Sequence, residues 1–494
     1  MPRLSLPSLR RGEIAFHLLL CLLSAIFLLL IFPGFDIHLL APFALTPLLF
    51  ALALTPDWRQ RFLFGWLAGI VFWFGLCTWI QFVLQDHGGM GRWGSWGAFA
   101  LFCVLKALHL GVFSLLAGPL MNRAYALPAV AALWAGLERT HGTFGFAWLQ
   151  LGNAGIDMSV PLRLAPFVGV YGLSFVFCMI AAAVACLLLR RPRIYLAPAL
   201  ALPFLWLLPP IHEGTPTPDR ALVVQPDIDT EIEWTGERQQ QTERQLGLLS
   251  MAIPAPLVIW PELPAPLYYY NDPEFHQEAT RIAIRHGYFL FGTVAYTQKG
   301  APLNSAVLLG PTGNLIGRYD KIYLVPFGEF VPPLFSFVNR MTQEAGDFAP
   351  GHEIKVLPAA NHRLGVFICY ESAFPHLVRQ FAKAGADVLV NISNDGYFGH
   401  TEAREQHLLL VQMRAVENRR FIIRATNDGL TAVIDPSGRI IKELPPYEEL
   451  AAPVRYGTVE STTFYTRHGD WFAWSCLTIG LALAAFAYVQ NKQN

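Results

Sequence analysis

The chain has 494 residues and equal numbers of basic and acidic side chains, so its formal net charge is zero, and 53% of its residues are hydrophobic against 15% charged. With a mean hydropathy of +0.38, this composition excludes an ordinary soluble enzyme, because most of the apolar excess needs a bilayer to cover it. The absence of a basic block gives no reason to expect a nucleic-acid partner, and the fourteen histidines show no metal-binding spacing, so we predict neither a metal nor a cofactor.

Seven long apolar stretches precede residue 212, and an eighth lies near the carboxyl terminus. They cover residues 14–33, 37–55, 61–85, 95–121, 124–140, 164–190, 194–210 and 471–490. A helix needs about 20 residues to span a bilayer, and most of these stretches reach that length. We therefore predict eight membrane spans. The first is interpreted as an uncleaved anchor, because it is too long for a signal peptide and lacks a small-residue cleavage site.

The basic residues of the short loops predict the orientation of these spans. If the amino terminus is cytoplasmic, most of these residues face the cytoplasm, namely Arg3, Arg10, Arg11, Arg59, Arg61, Arg123, Arg190, Arg191, Arg193 and Lys492. The opposite short loops keep little beyond Arg92 and Arg163. Because cytoplasmic loops are enriched in Lys and Arg, the pattern predicts seven spans in residues 1–211, a polar domain at 212–468 on the outer face, and a last span with a short cytoplasmic tail at 469–494.

Two ionisable residues, Lys106 and Glu138, fall within or at the end of predicted spans. Charged side chains are costly in lipid, and those that occur there often mark a functional site. They can equally form paired structural contacts or extend toward the membrane surface. The sequence leaves both interpretations open.

From about residue 220 the pattern changes to short β-rich runs that alternate with helical ones. Strands are predicted at 221–225, 257–260, 288–295, 304–309, 364–368, 387–392, 421–425 and 431–434, and helices at 236–251, 272–286, 375–383 and 401–419. This alternation predicts an α/β domain in which helices cover both faces of a sheet.

One cysteine differs from the other six in its surroundings. Cys21, Cys77, Cys103, Cys178, Cys186 and Cys476 lie in apolar stretches, where a thiol usually behaves as a small buried hydrophobic group. Cys369 instead ends the apolar run GVFIC in the polar domain and directly precedes Tyr370 and Glu371. A lone thiol in this position is either an inert core residue or a nucleophile.

Two further residues occupy equivalent places at strand ends. Glu262 ends the run VIWPE, and Lys321 follows the strand after Gly317. In α/β folds the loops at strand ends converge and bind ligands. A free thiol with a pKa of about 8.5 is mostly protonated at neutral pH, so a carboxylate is suited to accept its proton during attack. A lysine can keep that carboxylate ionised and face an oxyanion, so the three residues together predict a nucleophile, its base and its cation.

The motifs around these residues resemble those of known proteins. The contexts of Glu262, Lys321 and Cys369 are similar to the Glu-Lys-Cys triad of the carbon-nitrogen hydrolase, or nitrilase, superfamily, which implies an αββα sandwich. Combined with eight spans, they resemble the apolipoprotein N-acyltransferase family along nearly the whole chain. The shared motifs are VVQPDI with Trp234, WPE, LNSAVLLG, YDKIYLVPFGEFVP, CYESAFP, NISNDGYFG and RAVENRRFIIRATNDG, together with Trp134, Glu138, Arg139 and WLQLG in the membrane part.

The resemblance implies an acyltransferase of the bacterial cytoplasmic membrane with a periplasmic catalytic domain. Cys369 would take an acyl chain from a phospholipid as a thioester and pass it to the amine of an S-diacylglyceryl cysteine at the amino terminus of an apolipoprotein. Glu329 and Glu371 would be supporting carboxylates, and Trp234, Asn304, Tyr370 and Tyr397 would line the substrate site. Tyr397 departs from the Trp of the family pattern, which leaves its contribution to lipid binding open, and Ala147 replaces a Pro.

Two other functions fit parts of the sequence. One is a membrane-tethered amidase that hydrolyses its thioester with water, and the other is a transport or scaffolding membrane protein with an inactive hydrolase-like domain. The complete triad argues against the inactive domain, and the predicted spans argue against an ordinary amidase.

The stretch Phe330 to Phe348 is long and carries many apolar residues in its first half. Long irregular loops inside compact domains are usually functional or disordered, and this one is too apolar for a disordered linker. We expect either packing against the core or a lid that admits an acyl chain and keeps water from the thioester.

The distribution of arginines gives a direct test of orientation. A cysteine placed at Lys299 should react with a membrane-impermeant thiol reagent added to intact spheroplasts, because the polar domain is predicted on the outer face. A cysteine placed at Arg191 should react only after the membrane is permeabilised. Labelling in the opposite pattern would reverse the predicted topology.

Overall fold

The computed structural model describes residues 10–143, 146–229, 233–326, 328–330 and 348–493. Within them the chain forms two compact units. The first contains the residues before 82, residues 94–210 and the residues after 467, and the second contains residues 82–93 and 211–467.

The first unit is helical. Its helices up to residue 210, two of which extend partly into the second unit, are α1 Arg11–Leu30, α2 Thr46–Leu54, α3 Trp58–Leu76, α4 Trp79–Asp86, α5 Gly91–Lys106, α6 Leu108–Leu120, α7 Ala126–Thr140, α8 Ser159–Leu162, α9 Ala165–Val168 and α10 Val170–Leu188. Segments of 3-10 helix lie at His38–Phe43, Leu151–Gly155 and Arg193–Leu207. Each apolar stretch predicted before residue 212 therefore contains helix.

Fewer of the described helices are long enough to span a membrane than the eight that the sequence predicts. Among the residues described, four segments are long and apolar enough to cross a membrane, namely 11–30, 91–120, 170–188 and 471–490. A fifth is added when α3 and α4, which are bent by 61° at the break between them, are counted as one span. The apolar segments with Pro42, Pro198 and Pro203 form 3-10 helix, because proline lacks the N–H that an α-helix needs. The structure supports a helical membrane unit, and the count of eight spans stays a prediction.

Two buried charged residues hold the segment that follows α7. Lys106 donates from Nζ to the carbonyl of Phe146 at 2.7 Å, and its ammonium lies 5.1 Å from the centroid of the Trp73 ring. Glu138 accepts a hydrogen bond from the backbone amide of Leu151 at 2.8 Å. Buried charges need such partners, so these contacts correspond to the structural interpretation of both residues.

The remaining helices are α11 Gly236–Met251, α12 Pro273–His286, α13 Pro375–Lys383, α14 Ala403–Asn418, α15 Phe464–His468 and α16 Trp471–Gln493. The last of them, α16, belongs to the first unit, where its start is tied to α7. Arg139 forms a buried ion pair with Asp470, and its guanidinium lies 5.0 Å from the centroid of the Trp474 ring. A buried pair of this kind fixes the register between two helices.

The second unit contains twelve strands. They are β1 Arg220–Gln225, β2 Leu257–Ile259, β3 Tyr288–Tyr296, β4 Pro302–Leu309, β5 Leu315–Asp320, β6 Val356–Ala359, β7 His362–Ile368, β8 Val388–Ser393, β9 Phe421–Thr426, β10 Ala432–Ile434, β11 Ile440–Glu443 and β12 Leu450–Arg455. They form two six-stranded sheets, in the orders β12-β1-β2-β3-β4-β5 and β11-β10-β9-β8-β7-β6.

The strand pattern alone predicted a single sheet, and this prediction was wrong. The αββα sandwich implied by the family resemblance is confirmed in its two sheets. Strands β6, β11 and β12 were not predicted, since they are short edge strands and two of them contain Pro358 or Pro453. Proline cannot donate to a strand ladder and is confined to such edges, where the apolar signal is also weak.

The parallel strands at the centre of the second sheet position one half of the site. Strand β8 pairs in parallel with both β7 and β9, and every residue of β8 and β9 is buried. Continuous apolar runs are typical of parallel strands covered on both faces, which is why the sequence pattern located these strands. The carboxyl ends of β7 and β8 lie side by side, so Cys369 and Asn394 follow adjacent strands.

Candidate active site

The turn that carries Glu262 is anchored in the apolar core. Trp260, which follows β2, is fully buried and donates from Nε1 to Ser250 Oγ at 2.8 Å. Gly292 of β3 passes so close to the turn that a Cβ there would lie 2.6 Å from the amide nitrogen of Leu263. Glu262 therefore leaves a rigid turn in a defined direction, as a preorganised site requires.

Lys321, directly after β5, is buried between two carboxylates. Its Nζ donates to Glu262 Oε1 at 2.8 Å and to Glu329 Oε1 at 3.0 Å. Asn304 Nδ2 donates to the same two oxygens at 2.7 and 2.6 Å. Burial alone would lower the pKa of Lys321, but Glu262 and Glu329 raise it well above its ordinary value. The lysine is therefore a buried cation at neutral pH.

The second oxygen of each carboxylate is held by the backbone. The amide of Asn394, which follows β8, donates to Glu262 Oε2 at 3.0 Å. The amide of Val325 donates to Glu329 Oε2 at 2.8 Å. Both oxygens of both carboxylates thus accept hydrogen bonds, which is the condition for burying an ion pair without a large penalty.

Cys369 begins the 3-10 turn Cys369–Ala373 and has a φ of +49°, in the left-handed region that residues other than glycine rarely adopt. Its side chain is buried. Burial raises the pKa of the thiol, the Glu262 carboxylate raises it further, and Lys321 opposes this increase. The resting thiol is therefore protonated, and an attack by its sulfur requires a base.

Glu371 connects the turns that carry Lys321 and Cys369. Its oxygens accept hydrogen bonds from the hydroxyl of Tyr319 at 2.7 Å and from the amides of Ile322, Tyr323 and Ile368 at 2.7, 3.2 and 2.7 Å. Burial raises the pKa of Glu371 to about 7, and these hydrogen bonds limit the increase. These contacts join the turn after Lys321 to the turn of Cys369, so we predict that Glu371 positions both turns.

The four residues predicted to line the substrate site lie in different parts of the second unit. Asn304 is part of the lysine cluster, and Tyr370 is buried with its ring 5.1 Å from that of Phe374. Tyr397 is 46% exposed and lies within electrostatic range of Glu262 and Lys321. Trp234 is partly buried and packs against the apolar core of the first sheet.

Three residues of the site were not predicted. The amide of Asn394 binds Glu262, His407 Nε2 lies 3.0 Å from the carbonyl oxygen of Cys369, and the His87 ring centroid lies 4.6 Å from that of Tyr397. Asn394 belongs to a motif that the sequence analysis singled out, but its backbone contact leaves no compositional signal. His87 precedes this part of the chain by hundreds of residues, in a stretch dominated by predicted spans.

The proposed lid at Phe330 to Phe348 falls almost entirely outside the described residues. At its end, the amide of Phe348 donates to the carbonyl of Glu329 at 3.1 Å. Within the described parts of the chain, no group of three or more His, Cys, Asp and Glu side chains is arranged to hold a metal ion.

The Glu371 contacts predict a large effect on stability. Glu371→Ala should lower the free energy of unfolding by about 3 kcal/mol or more, because it leaves several buried donors without an acceptor. Glu353→Ala is the matched control, since Glu353 is an exposed carboxylate and should change stability by less than about 0.5 kcal/mol. Denaturation of purified protein in detergent measures both. If both variants changed the free energy of unfolding by equally small amounts, the positioning role of Glu371 would be contradicted.

Comparison with known proteins gives two matches to protein families. Residues 24–183 match the apolipoprotein N-acyltransferase N-terminal domain, and residues 220–464 match the carbon-nitrogen hydrolase family. An amidase from Nesterenkonia sp. of known structure is 20% identical, with a TM-score of 0.38 and coverage of 52% of this chain and 95% of that chain.

Two relatives are similar over almost the entire chain. The apolipoprotein N-acyltransferase of Geobacter metallireducens is 35% identical over 497 residues, with 95% of each chain covered. That of Azotobacter vinelandii is 33% identical, with 93% of this chain and 92% of the relative covered. The sequence therefore belongs to the apolipoprotein N-acyltransferase family.

Proposed function

We propose that this protein transfers an acyl chain from a membrane phospholipid, through a thioester on Cys369, to the amino-terminal amine of an S-diacylglyceryl-cysteine apolipoprotein. The observation that carries the chemistry is the buried pair of Glu262 and Lys321 within electrostatic range of a protonated thiol. The substrate class rests on membership of the family and on the apolar helices of the first unit. This reaction would be the last step of bacterial lipoprotein maturation.

Acylation begins with the thiol of Cys369. Glu262 accepts the proton as the sulfur attacks the ester carbonyl carbon of the phospholipid, and the new C–S bond produces a tetrahedral oxyanion. Lys321 faces this oxyanion and stabilises it. The intermediate collapses with cleavage of the C–O bond, and Glu262 returns the proton to the leaving oxygen, which releases a lysophospholipid.

Transfer repeats these roles with an amine as nucleophile. The amino terminus of the acceptor attacks the thioester carbonyl while Glu262 accepts a proton from the amine. Collapse of the second tetrahedral intermediate forms the amide, breaks the C–S bond and restores the thiol with the proton held by Glu262. The amine is uncharged when it attacks, so the proton balance closes after one cycle.

The surrounding residues have supporting roles in this proposal. Glu329 shares the ammonium of Lys321 and keeps it in place, and Asn304 orients both carboxylates. Trp234, Tyr370 and Tyr397 are proposed to contact the substrates. A tyrosine at 397 retains an aromatic face beside the triad.

We place the protein in the bacterial cytoplasmic membrane, with eight spans and with the catalytic domain, residues 212–468, on the periplasmic side. The distribution of arginines supports this topology, and lipidated amino termini are confined to that surface. The second, fifth and seventh spans would then be segments shorter than a regular spanning helix.

The nucleophile is tested by incubating purified protein in detergent with radiolabelled phospholipid, with and without a diacylglyceryl peptide. Without the peptide, a hydroxylamine-sensitive acyl group should accumulate on Cys369, and mass spectrometry should locate it. With the peptide, the label should move to its amino terminus. Cys369→Ala should abolish both steps.

Other outcomes identify the alternatives. Release of labelled fatty acid without peptide acylation would indicate an amidase-like hydrolase, and no reaction at all would indicate an inactive domain. An adduct on another residue, or full activity in Cys369→Ala, would overturn the assignment of the nucleophile.

The roles of Lys321 and Glu262 are tested as a pair. Lys321→Ala should cost about 3 to 4 kcal/mol of transition-state stabilisation, as loss of an oxyanion donor does, and Lys321→Arg should not restore it, because a planar guanidinium does not fit a point-charge site. The double variant with Glu262→Ala should cost much less than the sum, since residues that act as a unit are not additive.

Values of kcat/KM for peptide acylation provide the measurement. Lys355→Ala is the control, because Lys355 is an exposed lysine in the same domain and should leave kcat/KM unchanged. Additive losses in the double variant would show that Lys321 and Glu262 act independently.

A further inference from the structure

A buried histidine holds the backbone of the nucleophile. His407 lies on α14 and is fully buried, and its Nε2 is 3.0 Å from the carbonyl oxygen of Cys369. The contact joins residues 38 positions apart in the sequence. A carbonyl oxygen can only accept a hydrogen bond, so Nε2 carries a proton and donates it.

The other ring nitrogen of His407 binds an ionised carboxylate. Nδ1 lies 3.0 Å from Asp395 Oδ1, which also accepts from Ser393 Oγ at 2.8 Å. Arg424 Nη2 donates to the second oxygen of Asp395 at 2.5 Å. Burial alone would raise the pKa of Asp395, but Arg424 and His407 lower it well below its ordinary value. Asp395 is therefore an anion held by Arg424 and in contact with His407.

Arg424 Nη2 also lies 3.2 Å from Nδ1 of His407, so the carboxylate of Asp395 and the guanidinium of Arg424 hold this side of the ring together. Arg424 is itself held from the other side by Asn391 and by the carbonyl of Leu430. All five polar side chains of the network, those of Asn391, Ser393, Asp395, His407 and Arg424, are fully buried. A fully satisfied buried network of this kind is rigid and has one arrangement.

The conformation of Cys369 needs such a support. A left-handed φ in a residue other than glycine costs about 1 to 3 kcal/mol and persists only where the surroundings enforce it. Glu371 holds the amide of Ile368 on one side of the thiol, and His407 holds the carbonyl of Cys369 on the other. The backbone on both sides of the reactive sulfur is therefore fixed by buried polar side chains.

We propose that His407 is a positioning residue for acyl transfer, in which an imidazole oriented by Asp395 and Arg424 locks the strained turn of Cys369 so that its sulfur faces the base and the acyl carbonyl. His407 acts through the backbone of Cys369. This inference rests on Cys369 being the nucleophile, as proposed above.

The test compares two substitutions that differ in one donor. Glutamine places an N–H near the position of Nε2 and can still bind the carbonyl of Cys369, whereas leucine fills the space without a donor. His286→Gln is the matched control, because His286 is also buried in this unit and its Nδ1 lies 3.0 Å from a backbone carbonyl, that of Ala255. Thermal unfolding midpoints are recorded for all variants.

The measured quantity is the burst of p-nitrophenol when the full-length protein in detergent is acylated by p-nitrophenyl butyrate. His407→Leu should slow the burst about a hundredfold, as misplacement of a reacting group does, while the half-saturating ester concentration stays unchanged. His407→Gln should recover most of this loss and remain within about tenfold of the wild type. His286→Gln should keep the normal burst rate even if its unfolding midpoint falls.

Three results would overturn the inference. They are a normal burst in His407→Leu, equal losses in the leucine and glutamine variants that follow their unfolding midpoints, and a burst that persists in Cys369→Ala. The last would overturn the nucleophile as well. If the wild-type protein shows the burst but does not acylate a diacylglyceryl peptide, only the proposed acceptor is contradicted, and the role of His407 stands.

Discussion

The buried ammonium of Lys321 is the interaction on which the arrangement of the site depends. A lysine that is 1% exposed cannot remain charged unless carboxylates replace the water it has lost. Glu262 and Glu329 supply them, and each then needs further donors for its second oxygen, which the amides of Asn394 and Val325 provide. One buried charge therefore determines the positions of four turns.

The same contacts join the two sheets of the second unit. Glu262 and Lys321 follow strands of the first sheet, whereas Cys369 and Asn394 follow strands of the second. The amide of Asn394 reaches across to Glu262, and Glu371, behind Cys369, accepts from the turn after Lys321. The proposed nucleophile from one sheet and its proposed base from the other meet where polar groups that would be unsatisfied alone complete each other between the sheets.

The chemistry follows from how these charges are balanced. Burial raises the pKa of the Cys369 thiol, the Glu262 carboxylate raises it further and Lys321 opposes this increase, so Cys369 is protonated at rest. In the proposed mechanism the base therefore acts in concert with attack, which ties the reaction to the arrival of an ester or an amine. In the first unit, Lys106 donates to the backbone carbonyl of Phe146 and Glu138 accepts from the backbone amide of Leu151.

Local sequence patterns determined the central strands of the second unit and the residues of the candidate triad. Largely apolar runs located the central strands, since strands buried on both faces are mostly apolar, and the only thiol of the polar domain together with Glu262 and Lys321 at strand ends identified the candidate triad. The two sheets themselves came from the family resemblance, because a strand pattern does not state its partner. The edge strands, the bend between α3 and α4, and the contacts of Asn394 and His407 were decided only by the tertiary structure.

The contact between Asn394 and Glu262 shows why. The amide of Asn394 lies 132 positions from Glu262, and a backbone donor has the same chemistry in every residue. Such contacts depend on where the folded chain brings distant groups together, and residue identity and spacing carry no record of that position.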